Sequence, residues 1–511
     1  MNMNRIFRLL LVASLASSMI VSCDPPQEEP NSNNQNNGNG NVTPSQPSQP
    51  SQPTSSISEE IKQADQFAIN ALGVYYLWNN EINKDLSKLS PETCADPISV
   101  VRDIRYHANG KEVDHWTVLT NDLDSMTSSV EGLGLSFGYD LTGMWVDQAR
   151  TSLVFIVNYV AKGKPAERAG LKRGDIIWTL NGKDITIDNY SDLFYASSVS
   201  IQVQHGLESK ELVTVSMEAN KEWENPVLLD TTYDVNGKKV GYLVYNSFDV
   251  NSMTTLPDVF RKFKAKGIEE LILDLRYNGG GFVNTECELA SLIAPYANVA
   301  AKDVFQTEVY NDLLTEAWKT QMDFNTYFDT KFKYDSYKID VDISDANPGI
   351  SKLYVIVTGG SASASEGLIV GLTPYMDITL IGQQTYGKYC AGWMISPKEL
   401  YGSNTQYDYS EIGKWGIYVM ISKFADKNGN NQAMPDGIPV DIEVEDDVLD
   451  GFQFGDENET MLKAALTAAG KTYTRASTGH VNPFGPGYVG HIAPKGILVK
   501  ELPDLANIPV Q

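Results

Sequence analysis

Short apolar runs alternate with helical patterns between residues 230 and 390. The run Leu353–Thr358 is continuous and rich in β-branched residues, which suits a strand buried on both faces of a parallel sheet. Three more runs predict strands: Val240–Tyr245, Leu271–Leu275 and Ile378–Gly382. Helices are predicted over three further segments: Met253–Lys266, Asn284–Ile293 and Ala364–Thr373. Strands that alternate with helices favour an α/β fold with parallel strands.

Other patterns divide the rest of the chain. Apolar positions at helical spacing, starting with Ala64, Ala68 and Leu72, predict a small helical domain. A β-rich module follows and precedes the α/β domain, which closes with a predicted helix over Asn458–Gly470. A Gly- and Pro-rich extension comes last, and its pattern does not indicate a role. These domains are assigned to residues 57–125 (helical), 126–222 (β-rich), 223–470 (α/β) and 471–511 (extension).

The start of the chain has the pattern of a secretory signal. Two arginines precede the apolar stretch Leu9–Val21, and Ser22-Cys23 follows it. This resembles a bacterial lipoprotein signal, which implies that residues 1–22 are removed and that Cys23 is acylated. An uncleaved membrane anchor or a plain secretory signal remains the alternative. Residues 23–56 contain almost no apolar side chain and predict a flexible linker.

The composition excludes several classes of function. The chain has 511 residues, of which 42% are hydrophobic, and a net charge of −25. Such an acidic chain is unsuited to binding nucleic acid or to docking on anionic lipid by charge. Its four cysteines form no C-x-x-C pair and its five histidines are scattered, so we expect no metal or other cofactor.

The β-rich module resembles a PDZ domain in two stretches. One is Gly132–Phe137, a glycine-rich loop that leads into a strand, and the other is Lys164–Ile177, followed by Leu180-Asn-Gly182. A glycine-rich loop presents N–H groups that can hold a peptide's terminal carboxylate, and the adjacent strand edge can accept an added strand. A module that only packs against its neighbour remains the alternative. The resemblance implies a peptide site at Gly132, Leu133, Gly134 and Leu135.

A serine and a lysine are candidates for a catalytic pair. Ser363 lies between a predicted strand and a predicted helix, and Lys388 follows the next strand, so both leave the same edge of the sheet. A serine hydroxyl needs a base, and a lysine can be that base only if burial lowers its pKa. No histidine lies in this stretch. The alternative for Ser363 is helix capping, because Ser363 and Glu366 have the spacing of a capping box.

Two backbone N–H groups are candidates for an oxyanion hole. The N–H of Ala364 lies at the start of the predicted helix, where the helix dipole favours negative charge. The second candidate comes from the turn that ends Leu273-Asp-Leu-Arg-Tyr-Asn-Gly-Gly-Gly281. Gly280 is preferred there, with Gly279 next.

Together these motifs resemble the C-terminal processing peptidases, also called tail-specific proteases. The matching segments are Leu273–Gly281, Ser361–Glu366 and Thr385-Tyr-Gly-Lys388. The resemblance implies that Ser363 is the nucleophile, Lys388 the base and Glu366 a supporting residue. It also implies a ClpP/crotonase-like α/β core with parallel strands, an inserted β-rich PDZ-like domain and a small N-terminal helical domain. Gly392 departs from the family, since some members place there a Gln that assists the lysine.

The function implied is that of a serine endopeptidase that cleaves polypeptides recognised near their C-termini through an acyl-enzyme. The alternative is a catalytically silent, peptide-binding lipoprotein that keeps the fold. The expected partners are polypeptides with free C-termini and a membrane, reached through the lipid on Cys23, with no nucleic acid. The expected location is the bacterial cell envelope.

Overall fold

The computed structural model describes residues 57–131, 133–146, 149–320, 322–402, 406–473, 482–484 and 487–488. Cys23, the predicted signal and the predicted linker therefore lie outside the described residues. Within the described ranges, no helix is long and apolar enough to cross a membrane.

The N-terminal region is mainly helical. Its first helix begins after Ser58, whose Oγ accepts a hydrogen bond from the Ile61 N–H. Its elements are α1 (Glu59–Tyr75), α2 (Asn79–Ile82), α3 (Pro97–Ile104), β1 (His107–Ala108), β2 (Lys111–Glu112), β3 (Val118–Thr120) and α4 (Leu123–Val130), with a 3-10 turn at Asp85–Leu89.

The next module is β-rich, as predicted, and has a hydrophobic core of its own that includes Phe155, Ile177 and Ile201. Its elements are β4 (Tyr139–Trp145), β5 (Leu153–Val160), α5 (Pro165–Arg168), β6 (Ile176–Leu180), β7 (Lys183–Asp184), α6 (Asp192–Tyr195), β8 (Ser198–Gln204) and β9 (Val213–Glu218). The strands pair antiparallel in the order β4-β5-β6-β8-β9, and the short strand β7 pairs with β6.

The remaining described residues form the α/β domain and one strand beyond it. Short 3-10 turns occur at Val250–Thr254 and Asp335–Tyr337. The elements are β10 (Val227–Val235), β11 (Lys238–Tyr245), α7 (Leu256–Lys266), β12 (Glu270–Asp274), α8 (Val283–Ile293), α9 (Tyr296–Ala301), β13 (Val304–Tyr310), α10 (Asp312–Trp318), β14 (Asn325–Tyr327), β15 (Lys331–Tyr334), β16 (Ile339–Asp342), β17 (Lys352–Val357), α11 (Ala364–Leu372), β18 (Asp377–Gly382), β19 (Cys390–Ile395), α12 (Pro397–Tyr401), β20 (Gly416–Ala425), β21 (Ile442–Glu443), α13 (Thr460–Ala468) and β22 (Gly487–Tyr488).

The main sheet of this domain has the order β10-β11-β12-β17-β18-β21. The neighbours from β11 to β21 are parallel, which confirms the prediction, and β10 pairs antiparallel at one edge. Both faces are covered, because Leu273 packs in one hydrophobic core and its neighbour Ile272 in another. The ends of β12, β17 and β18 therefore meet at one edge of the sheet.

A second sheet joins the N-terminal region to the α/β domain. It has the order β14-β13-β20-β19, and β3 pairs antiparallel with β20. Phe67 and Tyr75 of α1 belong to the same hydrophobic core as Leu368 of α11. The N-terminal region thus packs on the α/β domain without a separate core, and it brings residues 114–117 to the sheet edge where the candidate site lies.

Candidate active site

Ser363 immediately precedes α11, at the end of the turn that follows β17. Its backbone has φ = 63° and ψ = −115°, a conformation that non-glycine residues rarely adopt. A strained residue of this kind costs about 1–3 kcal/mol and persists only where its surroundings fix it. The side chain is completely buried.

Three serines alternate along Ser361–Ser365, and their hydroxyl groups have different environments. Ser361 Oγ donates to the Leu275 carbonyl at 2.8 Å, and Ser365 Oγ donates to the Asn278 carbonyl at 2.8 Å. Ser363 Oγ is buried without a hydrogen-bond partner. Ser363 and Glu366 thus have the capping-box arrangement that the sequence predicts, but no regular hydrogen bond engages the Ser363 hydroxyl, which leaves that oxygen available for chemistry.

Glu366 connects Ser363 with Lys388. Its Oε2 accepts from the backbone N–H of Ser363 and from that of Lys388, both at 2.9 Å. Its Oε1 accepts from Thr385 Oγ1 at 2.6 Å and from the Gly387 N–H at 2.7 Å. Burial raises the pKa of this carboxyl, and these hydrogen bonds oppose the rise. We call these five residues the Glu366 cluster; it holds the candidate nucleophile and base around one carboxylate.

Lys388 is buried, with 1% of its surface exposed. Burial lowers the pKa of its ammonium to about 8, while the negative charges of Asp114 and Glu366 act in the opposite direction. A lysine with such a pKa is partly neutral near pH 7–8. It can therefore accept a proton from a serine, which an ordinary lysine rarely can.

Tyr418 on β20 contacts the lysine, with 3.3 Å between Lys388 Nζ and Tyr418 Oη. The tyrosine reaches this point because Gly392 on β19 has no side chain. A Cβ at Gly392 would lie 2.7 Å from the Tyr418 ring, closer than real contacts allow. A tyrosine hydroxyl thus lies beside the lysine, next to a glycine at position 392. The sequence analysis missed it.

The N-terminal region also contributes to this site. The Trp116 ring centroid lies 5.5 Å from Lys388 Nζ and 6.4 Å from the ring of the exposed Tyr386. Asp114 fixes this segment by accepting from the Trp116 and Thr117 N–H groups and from Tyr76 Oη. Trp116 therefore covers part of the lysine, a role that no feature of its local sequence pattern indicated.

The glycine turn after β12 lies against Ser363. A Cβ at Gly280 would lie 2.7 Å from Ser363 Cβ and 3.0 Å from the Ala364 nitrogen. The Gly280 N–H donates to Asn278 Oδ1 at 2.8 Å, however, so that donor is engaged in this structure. Within the described residues, no carbonyl or side chain accepts from the Ala364 N–H. One of the two predicted oxyanion donors is thus available and the other is not.

A buried ionic cluster connects the same turn to the PDZ-like module. Arg276 Nη1 lies 2.6 Å from Glu459 Oε1, and Arg276 Nη2 lies 2.6 Å from Asp274 Oδ2. Arg173, which follows α5, pairs with Asp446 at 2.6 Å and donates to Tyr277 Oη at 2.7 Å. We call Asp274, Arg276, Glu459, Arg173 and Asp446 the Arg276 cluster. Through Arg173 it contacts Tyr277, which follows Arg276 in the turn that carries Gly280.

The predicted peptide-binding loop is only partly described. Gly132 lies outside the described residues. Leu133 and Leu135 are 37% and 40% exposed, and Gly134 between them is partly buried. These two exposed leucines, a few residues before β4 in the chain, suit contact with an apolar peptide side chain.

Comparisons with known proteins agree with this arrangement. Residues 239–444 match the model of peptidase family S41, and residues 156–205 match that of the PDZ domain. A CtpA-like serine protease of Staphylococcus aureus strain COL is 27% identical over 342 residues, which cover 64% of this chain and 58% of that protein. The chain thus spans just over half of the length of this relative.

Two further proteins are similar. The chloroplastic C-terminal processing peptidase of Tetradesmus obliquus is 27% identical over 276 residues, covering 51% of this chain and 52% of that protein. A crystal structure described as an S41 protease from Bacteroides fragilis NCTC 9343 has a TM-score of 0.60 and 25% identity, covering 79% of this chain and 96% of that one. Residues 239–444 of the chain therefore form a peptidase S41 domain, and residues 156–205 ahead of it form a PDZ domain.

Proposed function

We propose that the protein is a serine endopeptidase in which Ser363 is the nucleophile and Lys388 the general base. The observation that carries the proposal is the Glu366 cluster, because one carboxylate oxygen accepts from the backbone N–H groups of both residues. The lowered pKa of Lys388 supports it. Ser363 Oγ makes no hydrogen bond to Lys388 Nζ in this structure, so the proposal requires the two side chains to approach each other when substrate binds.

In the proposed reaction, Ser363 Oγ attacks a peptide carbonyl while neutral Lys388 Nζ takes its proton. The oxyanion is held by the Ala364 N–H and, once it leaves Asn278, by the Gly280 N–H. Lys388 then protonates the leaving amine, and water hydrolyses the acyl-enzyme. Because Ser363 and Lys388 are buried, substrate entry requires residues that cover them, such as Trp116, to move aside.

Substitution of the two residues tests this proposal. Ser363→Ala and Lys388→Ala should each reduce cleavage of an unfolded polypeptide by at least about 10³-fold, since members of a catalytic unit act together. The exposed Ser344→Ala and Lys333→Ala serve as matched controls and should retain full activity. Cleavage that persists in both site variants would exclude the dyad.

The second candidate is a silent peptide-binding protein with the same fold. The engagement of the Gly280 N–H by Asn278 favours it, because an oxyanion hole with one free donor is incomplete. A fluorophosphonate probe distinguishes the two candidates. Labelling of Ser363 supports the enzyme, whereas an unlabelled protein that still binds peptides supports the silent form.

We also propose that the PDZ domain recruits polypeptides near their C-termini through Leu133–Leu135, and that acylated Cys23 tethers the chain to the cell envelope. The exposed leucines beside β4 support the first point, and the sequence up to Cys23 supports the second. Leu135→Asp should weaken peptide binding. Fatty-acid labelling that is lost in Cys23→Ser would support the tether, and equal labelling of both chains would contradict it.

A further inference from the structure

Strand β4 of the PDZ domain is paired along both of its edges. A β-strand has two edges that can form hydrogen-bonded ladders. Strand β5 occupies one edge of β4 along its whole length. On the other edge lies β22, which comes from the C-terminal extension, with Gly487 opposite Met144 and Tyr488 opposite Gly143. The edge that strand addition would use is therefore occupied, at this point, by the chain itself.

A second contact holds the same segment on the PDZ domain. The Phe484 ring lies 5.8 Å from that of Trp178 on β6, at an interplanar angle of 62°. Around it, Val154 and Ile156 of β5 form a small hydrophobic cluster that also includes Leu449 of the α/β domain. Phe484 thus fixes the segment by a side-chain contact that is independent of the ladder.

The direction of β22 matches that of a recruited peptide. β22 is antiparallel to β4, so the register moves from Met144 to Gly143 as the segment moves from Gly487 to Tyr488. The segment therefore runs along β4 toward its beginning, which Leu133 and Leu135 precede in the chain. A peptide whose C-terminal end is held by that loop would run along β4 in the same direction.

We propose that residues 482–484 and 487–488 are an intramolecular ligand of β4, which a substrate polypeptide must displace from the edge of the strand. The occupant is a segment of this same chain, held by Gly487 and Tyr488 in the ladder and by Phe484 on Trp178. The inference rests on the proposed recruitment of peptides by the PDZ domain. The C-terminal extension then competes with external peptides for this edge of β4.

The expected size of the effect follows from the short contact. A two-residue ladder with one aromatic contact is a weak ligand, but the covalent connection gives it an effective concentration of about 1 mM. If its own dissociation constant is about 0.1 mM, the apparent affinity for an external peptide falls by about ten-fold. Removing the segment should therefore raise that affinity by about ten-fold.

The test measures binding of a fluorescein-labelled ten-residue peptide with apolar residues at its free carboxyl end. Every chain carries Ser363→Ala, so the probe is not cleaved. Four chains are compared: the full chain, a chain ending at Tyr473, a chain ending at Tyr488, and Phe484→Ala in the full chain. Pro483→Ala, which changes an exposed neighbour of Phe484, is the matched control.

We expect the chain ending at Tyr473 to bind the probe about ten-fold more tightly than the full chain, and Phe484→Ala about three-fold more tightly. The chain ending at Tyr488 and Pro483→Ala should match the full chain. Added to the chain ending at Tyr473, a synthetic peptide of residues 479–490 should compete with the probe, whereas a scrambled peptide should not.

Equal affinities of the full chain and the chain ending at Tyr473 would overturn the inference. A full gain in the chain ending at Tyr488 would also overturn it, because the competing segment would then lie beyond β22. If no chain binds the probe, recruitment by the PDZ domain and the inference both fail. Ser363-dependent proteolysis, measured separately, would still decide the proposed activity.

Discussion

Glu366 and Glu459 are both buried carboxylates near the glycine turn, but their charges are balanced in different ways. Glu366 accepts from three backbone N–H groups and one hydroxyl, and burial raises the pKa of its carboxyl. Burial acts in the same direction at Glu459, but Arg276 and Arg173 hold its pKa below the ordinary value. The charge of Glu366 is thus balanced by N–H and O–H dipoles, whereas that of Glu459 is balanced by two guanidinium cations.

The difference explains how a lysine can remain a base beside a carboxylate. Glu366 binds the backbone N–H of Lys388, so it positions the residue through the main chain. A pairing like that of Arg276 with Glu459 would stabilise the charged form of a lysine and raise its pKa. The Glu366 cluster therefore positions Ser363 and Lys388. The Arg276 cluster stabilises the fold and connects the PDZ domain to the α/β domain.

The largest expected effect breaks the Arg276 cluster. Glu459→Gln removes the negative charge between two buried arginines, and losing one partner of a buried pair costs about 3–5 kcal/mol. The free energy of unfolding, measured by urea denaturation, should fall by that amount. Asp335→Asn, at an exposed pair with Lys333, is the control and should change stability far less. Equal effects of the two substitutions would contradict the assigned role.

Glu366→Gln should act mainly on activity. A Gln amide can accept with one oxygen only, so some of the four donors around position 366 lose their acceptor and the positions of Ser363 and Lys388 loosen. We expect kcat/KM to fall by about 100-fold, equivalent to about 2.7 kcal/mol. The decisive measurement compares this loss with the change in unfolding free energy. A variant that loses stability but keeps its activity would refute the distinction between the clusters.

The pH dependence of cleavage tests whether Lys388, positioned by the Glu366 cluster without an ion pair, acts as the base. Because the pKa of Lys388 is about 8, the neutral, basic form increases as the pH rises toward that value. Below it, kcat/KM should fall by about ten-fold for each pH unit, and above it the rate should level off. A profile that stays flat from about pH 6 to 9 would contradict a lysine base.

The smallest effect is expected from Tyr418→Phe. The loss of the hydroxyl contact to Lys388 Nζ should cost about 1 kcal/mol, or about five-fold in kcat/KM. Since Tyr418 Oη accepts from the ammonium, its removal should also move the pH midpoint slightly downward. A change in rate without any change in the midpoint would indicate that Tyr418 acts by packing alone.

Local patterns predicted the main sheet because each strand and helix carries its own signal. The runs at 271–275, 353–358 and 378–382 contain the cores of β12, β17 and β18, and the parallel order follows from their alternation with helices. Ser363 and Lys388 were identified through motifs of neighbouring residues. The structure holds the two together through Glu366, which lies within the serine motif.

The groups that complete the site come from distant segments and have no such signal. Tyr418 lies in a continuous apolar strand, where one tyrosine cannot be distinguished from a core residue. Trp116 reaches the lysine only because β3 pairs with β20, a contact between segments about 300 residues apart. The donation of the Gly280 N–H to Asn278 depends on the conformation of one turn. Tertiary packing decides these features, so the local sequence does not show them.

The close packing around Gly392 also restricts which substitutions the protein can accept. Since Met420 Cε and the Tyr418 ring fill the volume that a side chain at 392 would need, any larger residue there requires both neighbours to shift or to become smaller. A single exchange at either position leaves a steric clash or a cavity beside Lys388. A protein engineer who wants a glutamine beside the lysine should therefore replace Gly392 and Tyr418 together and also make room at Met420.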